Sequence, residues 1–173
     1  MPAVTKPLIL SGSARGDGDL SVAIEALRSL LDGGSEHIAL GEQELRPFIY
    51  AGGSEDDAFL RIIADMSRRD RLILATPVYW YAMSATMKLF FDRLADLLLH
   101  PAKRPLGRAL AGRKLWLLAT GADPELPEGF EVPFRRTADY LKMEWQGSCY
   151  LHCDGDKRDF GGLAEFAAAI AQA

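Results

Sequence analysis

Three large aromatic residues in a row, Tyr79, Trp80 and Tyr81, sit inside LILATPVYWYAMSATMKLFFDR, which runs from Leu72 to Arg93. The preceding Leu-Ile-Leu-Ala reads as a buried strand ended by Thr76-Pro77. Met83, Met87, Phe90, Leu94 and Leu97 then recur at helical spacing. Strand, loop and helix follow one another, with the unusual chemistry in the loop. Ligands of open α/β sheets bind outside the carboxyl ends of the strands, where this loop must lie. Aromatic rings there suit contact with a flat, conjugated ligand. The alternative is that they plug the top of the core.

A second loop, Ser11-Gly-Ser-Ala-Arg-Gly-Asp-Gly-Asp-Leu-Ser21, joins a first strand to a first helix. Its small residues let backbone N–H groups approach an anion, Ser11, Ser13 and Ser21 add hydroxyls, and a helix start favours negative charge. Arg15 can add a charge-assisted contact. The spacing is neither GxGxxG nor GxxxxGK[ST], which excludes a dinucleotide fingerprint and a nucleoside-triphosphate loop. Asp17 and Asp19 oppose an anion, so a solvated turn with an N-cap stays open beside the phosphate reading.

Other reactive residues point to less. In Cys149-Tyr-Leu-His-Cys-Asp154 a strand turns Cys149, Leu151 and Cys153 to one side and His152 to the other, so no metal site converges. His37 and His100 are isolated and read as surface or loop residues. Lys88 and Asp92 make an ordinary helix pair, Trp116 is core, and Trp145 is core or a subunit contact.

Positioning these loops requires alternating strands and helices. Strands are expected over Pro7–Gly12, His37–Leu40, Arg71–Thr76, Lys114–Ala119 and Trp145–Leu151. Helices are expected over Ser21–Leu31, from Ser54 to Arg69, over Ser84–Leu99 and Pro133–Leu141, and around Leu163–Ile170. Ser54-Glu-Asp-Asp57 fits a capping box for the second helix. Such alternation implies an α/β fold with a parallel sheet, helices on both faces and right-handed crossovers.

Composition is that of an ordinary globular chain. The 173 residues, 49% hydrophobic and 25% charged, suit one domain spanning 1–173 with a core of its own. A net charge of −4 argues against nucleic acid or an anionic membrane as partner. No apolar run is long enough to span a membrane, Met1–Pro7 is no signal peptide, and two cysteines make no disulfide framework. A cytoplasmic protein is expected.

These loops together resemble the flavodoxin-like NAD(P)H-dependent FMN reductases, and within them the branch that includes iron–sulfur flavoproteins. GSARGDGDLS is similar to the family's GSPR-x-x-G-N-T phosphate loop, and Thr76-Pro-Val-Tyr-Trp-Tyr-Ala-Met-Ser84 to its SP-x-Y-[WF]-x-x-[MV]-S flavin loop. Lys88-Leu-Phe-Phe-Asp-Arg93 resembles the following K-x-x-x-D-R, and Glu55-Asp-Asp57 the paired aspartates that open the second helix. The resemblance spans nearly the whole chain, weakest between Leu97 and Lys114. Two departures stand out. Asp19-Leu20 replaces Asn-Thr, with Ser21 one residue late. The branch's cysteine cluster corresponds to Leu45–Gly53, which holds no cysteine and so no iron–sulfur cluster.

The resemblance implies a doubly wound five-stranded parallel sheet in the order 2-1-3-4-5. It places FMN phosphate on Ser11, Ser13, Arg15 and the turn Gly18, Asp19, Leu20 and Ser21. It places the isoalloxazine on Pro77, Val78, Tyr79, Trp80, Ala82, Met83 and Ser84, with Thr120, Gly121 and Ala122 closing the pocket. Backbone N–H groups would face the charge that develops on the ring. Hydride transfer from NAD(P)H to a small acceptor such as free flavin or a quinone belongs to the cofactor, and no side chain is assigned as catalytic acid or base. A homodimer or homotetramer is implied as well. An electron carrier, or a module that binds flavin weakly or not at all, is the alternative. Arg15, Lys88 and Arg93, expected near the flavin edge, favour the enzyme over an acidic carrier.

Overall fold

A computed structural model describes residues 5–31, 33–51 and 57–173. The described elements are strands β1 (Leu8–Ser11), β2 (Glu36–Ala39), β3 (Arg71–Tyr79), β4 (Ala82–Met83), β5 (Lys114–Gly121), β6 (Glu144–Asp154) and β7 (Lys157–Asp159). The helices are α1 (Asp19–Leu30), α2 (Phe59–Ser67), α3 (Ala85–Arg93), α4 (Asp96–Leu99), α5 (Arg104–Arg108), α6 (Val132–Tyr140) and α7 (Leu163–Gln172).

Five strands run parallel in the order β2-β1-β3-β5-β6, which is the expected 2-1-3-4-5 arrangement. The sheet is seven-stranded rather than five-stranded, because two short antiparallel strands are added. β4 folds back on the end of β3, pairing Val78 with Met83 and Tyr79 with Ala82. β7 folds back on β6 at the sheet's edge, through a turn in which Gly155 takes a φ of +58°. Neither short strand carries the apolar alternation that marks a buried strand.

The sheet buries both faces, as a parallel sheet must. Leu8, Leu10, Leu72, Leu74, Leu115 and Leu117 pack against Phe59, Ile62, Met87, Phe90 and Phe134 of α2, α3 and α6. On the other face Ile9, Ile73, Trp116 and Leu118 meet Ala23, Ile24 and Leu27 of α1 and Phe166 and Ile170 of α7. Trp116 is therefore core, and Trp145 packs partly buried against the first cluster.

Several boundaries differ from expectation. α1 starts at Asp19 instead of Ser21, so Asp19 and Leu20 form its first turn. The helix expected over Ser84–Leu99 breaks into α3 and α4. There the amides of Leu94 and Ala95 turn back to Phe91 and Asp92 in tighter i→i−3 bonds. α5 fills the segment after Leu97 where no element was expected. The last strand runs on to Asp154 and so takes in His152 and Cys153. In the capping box, Ser54, Glu55 and Asp56 lie outside the described residues. The Asp57 carboxylate serves other groups: it accepts from the amides of Phe59 (3.0 Å) and Arg46 (2.9 Å) and from Arg93.

Candidate active site

β1, β3 and β5 each end at the same rim of the sheet, and their following loops meet there. Between them is a cleft of about 240 Å³, lined by Ser13, Arg15, Gly18, Asp19 and Leu20 from the first loop and start of α1. Pro77, Val78 and Tyr79 line it from the end of β3, and Thr120, Gly121 and Ala122 from the end of β5. All three expected loops thus converge on one site. Cys153, at the end of β6, lines it too and was not expected. The alternation Cys149, Leu151, Cys153 put it on one strand face; that this face ends at the cleft is a tertiary fact no spacing shows.

The phosphate loop is pinned locally. Ser13 Oγ donates to the Arg15 carbonyl (2.8 Å) and accepts from the Arg15 amide (3.1 Å). Gly18 is the N-cap of the 12-residue α1; the Ser21 amide donates to its carbonyl (3.0 Å), and no side chain caps the preceding amides of Asp19 and Leu20. Arg15 is mostly exposed beside Asp17, at 3.4 Å. Asp19 does not stand bare at the helix start. Its Oδ1 accepts from Arg158 Nε of β7 at 2.8 Å.

Ser11 and Ser21 lie elsewhere. They line a neighbouring cavity of about 270 Å³ that shares Ser13, Arg15 and Leu20 with the cleft. Ser11 is buried, and its hydroxyl bonds His37 Nε2 at 2.8 Å. His37 is therefore not isolated, and burial together with the nearby Arg28 holds its pKa below the usual histidine value. His100 Nε2 lies 3.8 Å from Asp96 Oδ1, beyond hydrogen-bond distance.

The aromatic loop is a tight hairpin. Trp80 and Tyr81 take φ of +49° and +63°, the pair of positive values that a two-residue turn of the primed kind needs and that bulky residues rarely adopt. Trp80 is 93% exposed and Tyr81 68%, which excludes a plug over the core. Trp80, Ala82, Met83 and Ser84 do not line the cleft. Ser84 is buried: its hydroxyl donates to the Gly12 carbonyl and accepts from the Met87 amide (3.1 Å). It caps α3 and ties the aromatic hairpin to the phosphate loop. At Gly12 a Cβ would stand 2.6 Å from Met87 Cβ, so only glycine lets α3 approach β1 this closely.

The third loop is held from β6. Tyr150 Oη donates to the Asp123 carbonyl (2.6 Å), and His152 Nε2 lies 3.0 Å from the Ala122 carbonyl oxygen. A Cβ on Gly121 would meet Tyr150 Oη at 2.8 Å and Val78 Cβ at 3.2 Å. None of these supports was visible in the loop's own sequence.

Charge is arranged differently from expectation at Arg93. It is fully buried and pairs with Asp57 and Asp96 (Nε to Oδ2, 2.9 Å), so it cannot lie at a flavin edge. Burial alone would raise the Asp57 pKa; the Arg93 guanidinium and the amides of Arg46 and Phe59 outweigh it, and the net shift is downward. Lys88 is exposed and pairs with Asp92, as expected. Cys149 and Cys153 join one core cluster with Leu151, and burial pushes the Cys149 thiol up to about 11. Among the described residues no three His, Cys, Asp or Glu side chains group as a metal site.

An uncapped helix N-terminus, an arginine, a serine hydroxyl and an adjacent apolar rim form a donor set suited to a phosphorylated, flat ligand at the switch point of a flavodoxin-like sheet. The chain belongs to the NADPH-dependent FMN reductase family, whose pattern it matches over residues 5–158. The family is one of FMN reductases that depend on NADPH. It is similar to the Bacillus subtilis protein named "Putative NAD(P)H-dependent FMN-containing oxidoreductase YwqN", 27% identical over 88% of this chain and 86% of that one. Iron-sulfur flavoprotein MJ1083 of Methanocaldococcus jannaschii is 33% identical over 53% of each chain. In fold it is similar to FerB, an NAD(P)H:(acceptor) oxidoreductase from Paracoccus denitrificans. The TM-score is 0.73 at 15% identity, covering 98% of this chain and 96% of FerB.

Proposed function

We propose that this chain, working as a single domain over 1–173, holds FMN in the three-loop cleft and passes reducing equivalents from NAD(P)H to a small acceptor such as free flavin or a quinone. The convergence of Ser13–Leu20, Pro77–Tyr79 and Thr120–Ala122 on one cleft carries this reading. FMN, when bound, supplies the hydride and electron chemistry. The chain's residues bind and orient it. The α1 amides, Ser13 and Arg15 would take the phosphate, with Ser11 and Ser21 supporting the loop from the neighbouring cavity. Pro77, Val78 and Tyr79 would offer a rigid apolar edge to the ring. Trp80, Ala82 and Met83, outside the cleft in a single chain, would act on a ring edge or acceptor that reaches over the rim.

Exposure of Trp80 and Tyr81 supports a homodimer or homotetramer, in which a second copy covers them. No helix among the described residues is long and apolar enough to cross a membrane, and a cytoplasmic location is in keeping with that. The test is the visible spectrum of the purified protein, before and after FMN addition and desalting. A retained flavin band that bleaches anaerobically with NADPH or NADH is the expected result. A colourless protein that holds no FMN would instead make the chain a flavodoxin-like carrier or binding module. Sedimentation analysis of the same sample tests the assembly.

A further inference from the structure

We infer that Arg158, on the edge strand β7, is a phosphate-neutralising residue of the FMN site. The inference rests on the FMN reading above. The loop Ser11–Ser21 carries one positive and two negative side chains, Arg15, Asp17 and Asp19, for a net charge of −1. A phosphate monoester brings roughly another −1.5 to −2 at neutral pH. The helix start and loop amides offset only part of that. Asp19, in the first turn of α1 and lining the cleft, is the worst placed of the three charges.

Arg158 corrects this from 139 residues away. Its Nε donates to Asp19 Oδ1 at 2.8 Å, cancelling the carboxylate's charge at the phosphate end of the cleft. Strand pairing sets it beside the cleft rather than in its wall: Arg158 is in register with Cys153, which lines the cleft, and it reaches the site through Asp19. The pair is only partly exposed, 42% for Arg158 and 38% for Asp19. A guanidinium has five N–H donors in a fixed fork, so one that holds Asp19 through Nε keeps donors that a phosphate oxygen can use. Arg158 therefore offsets the Asp19 charge and offers its remaining N–H groups to the phosphate. The antiparallel hairpin β6–β7 thereby acquires a purpose in the site.

The test compares FMN with riboflavin, which lacks the phosphate, by quenching of flavin fluorescence on the full chain. Arg158→Gln is expected to weaken FMN about tenfold or more, the size of one lost charge-assisted bond. Riboflavin should change by less than about twofold, since it has no charge to meet. Arg158→Lys should recover only part of the loss, since it keeps the charge without the fork. In a second and independent variant, Asp19→Asn, Arg158 is released and FMN binds more tightly while riboflavin does not. Equal loss of both flavins in Arg158→Gln means the hairpin merely supports the fold, and overturns the inference. So does unchanged FMN affinity in both variants. Wild-type protein that binds neither flavin overturns the FMN reading itself, and this inference with it.

Discussion

Arg93 is fully buried and stands between two buried carboxylates, Asp57 and Asp96, with its guanidinium 4.7 Å from the Phe59 ring centroid and a further bond to the Arg46 carbonyl at 3.0 Å. Truncating it would leave both carboxylates buried without their partner. Arg93→Ala is expected to cost about 3–5 kcal/mol, read as a lower urea midpoint at an unchanged slope. An unchanged midpoint would mean the pairs are solvated. Asp57 adds a pH dependence. Its folded pKa lies below the ordinary 3.8, so its stabilisation is present above that value and is lost as pH falls from about 4 through the folded pKa. Asp57→Asn should therefore weaken the protein at neutral pH and flatten its acid-unfolding limb. At Gly121 the effect is local. Gly121→Ala drives a Cβ into Tyr150 Oη and Val78, shifts the loop over the cleft, and should weaken FMN binding by about tenfold or more with secondary structure intact. Wild-type affinity in a flavin titration would show that the loop can give way.

The hairpin β3–β4 is the element where local rules are broken. Two bulky aromatics occupy a turn that glycine or asparagine would take at no strain, at about 1–2 kcal/mol per residue. Strained backbone of this kind gathers at functional sites. Tyr81→Gly should therefore raise thermal stability, by about 1 kcal/mol, while lowering turnover with NAD(P)H. Trp80→Ala makes the complementary case: a side chain 93% exposed has little folding work to lose, so stability should move by less than about 0.5 kcal/mol while turnover falls. Calorimetry and steady-state rates on both variants check this; a gain of stability with unchanged turnover would make the turn a neutral quirk.

For the whole molecule, a cleft built by three loops and a distant hairpin links FMN to global stability. Ligand that binds only the folded chain stabilises it by about 2.7 kcal/mol at a hundredfold excess over Kd, so the melting temperature should climb with added FMN and far less with riboflavin. An unmoved transition would place FMN off the folded state.

Much of this was legible from local pattern. Leu72–Ala75 announces a buried strand, Met87 and Phe90 a helix face, and Ser11–Ser21 a loop of small residues; each of these depends on near neighbours in the chain, which is why a linear reading finds them, whereas Met83, read as part of the helix, lies in β4. The parallel order and the meeting of three loops followed from the alternation and the family likeness. Tertiary structure decided what depends on distance across the chain. It bent the aromatic loop into a hairpin, buried Arg93 between Asp57 and Asp96, paired Ser11 with His37, and set Arg158 on Asp19. Asp19 read alone as an obstacle to an anion. Its partner lies 139 residues downstream, and no local periodicity carries information over that separation. Burial and charge compensation are properties of the packed chain, and only packing could assign them.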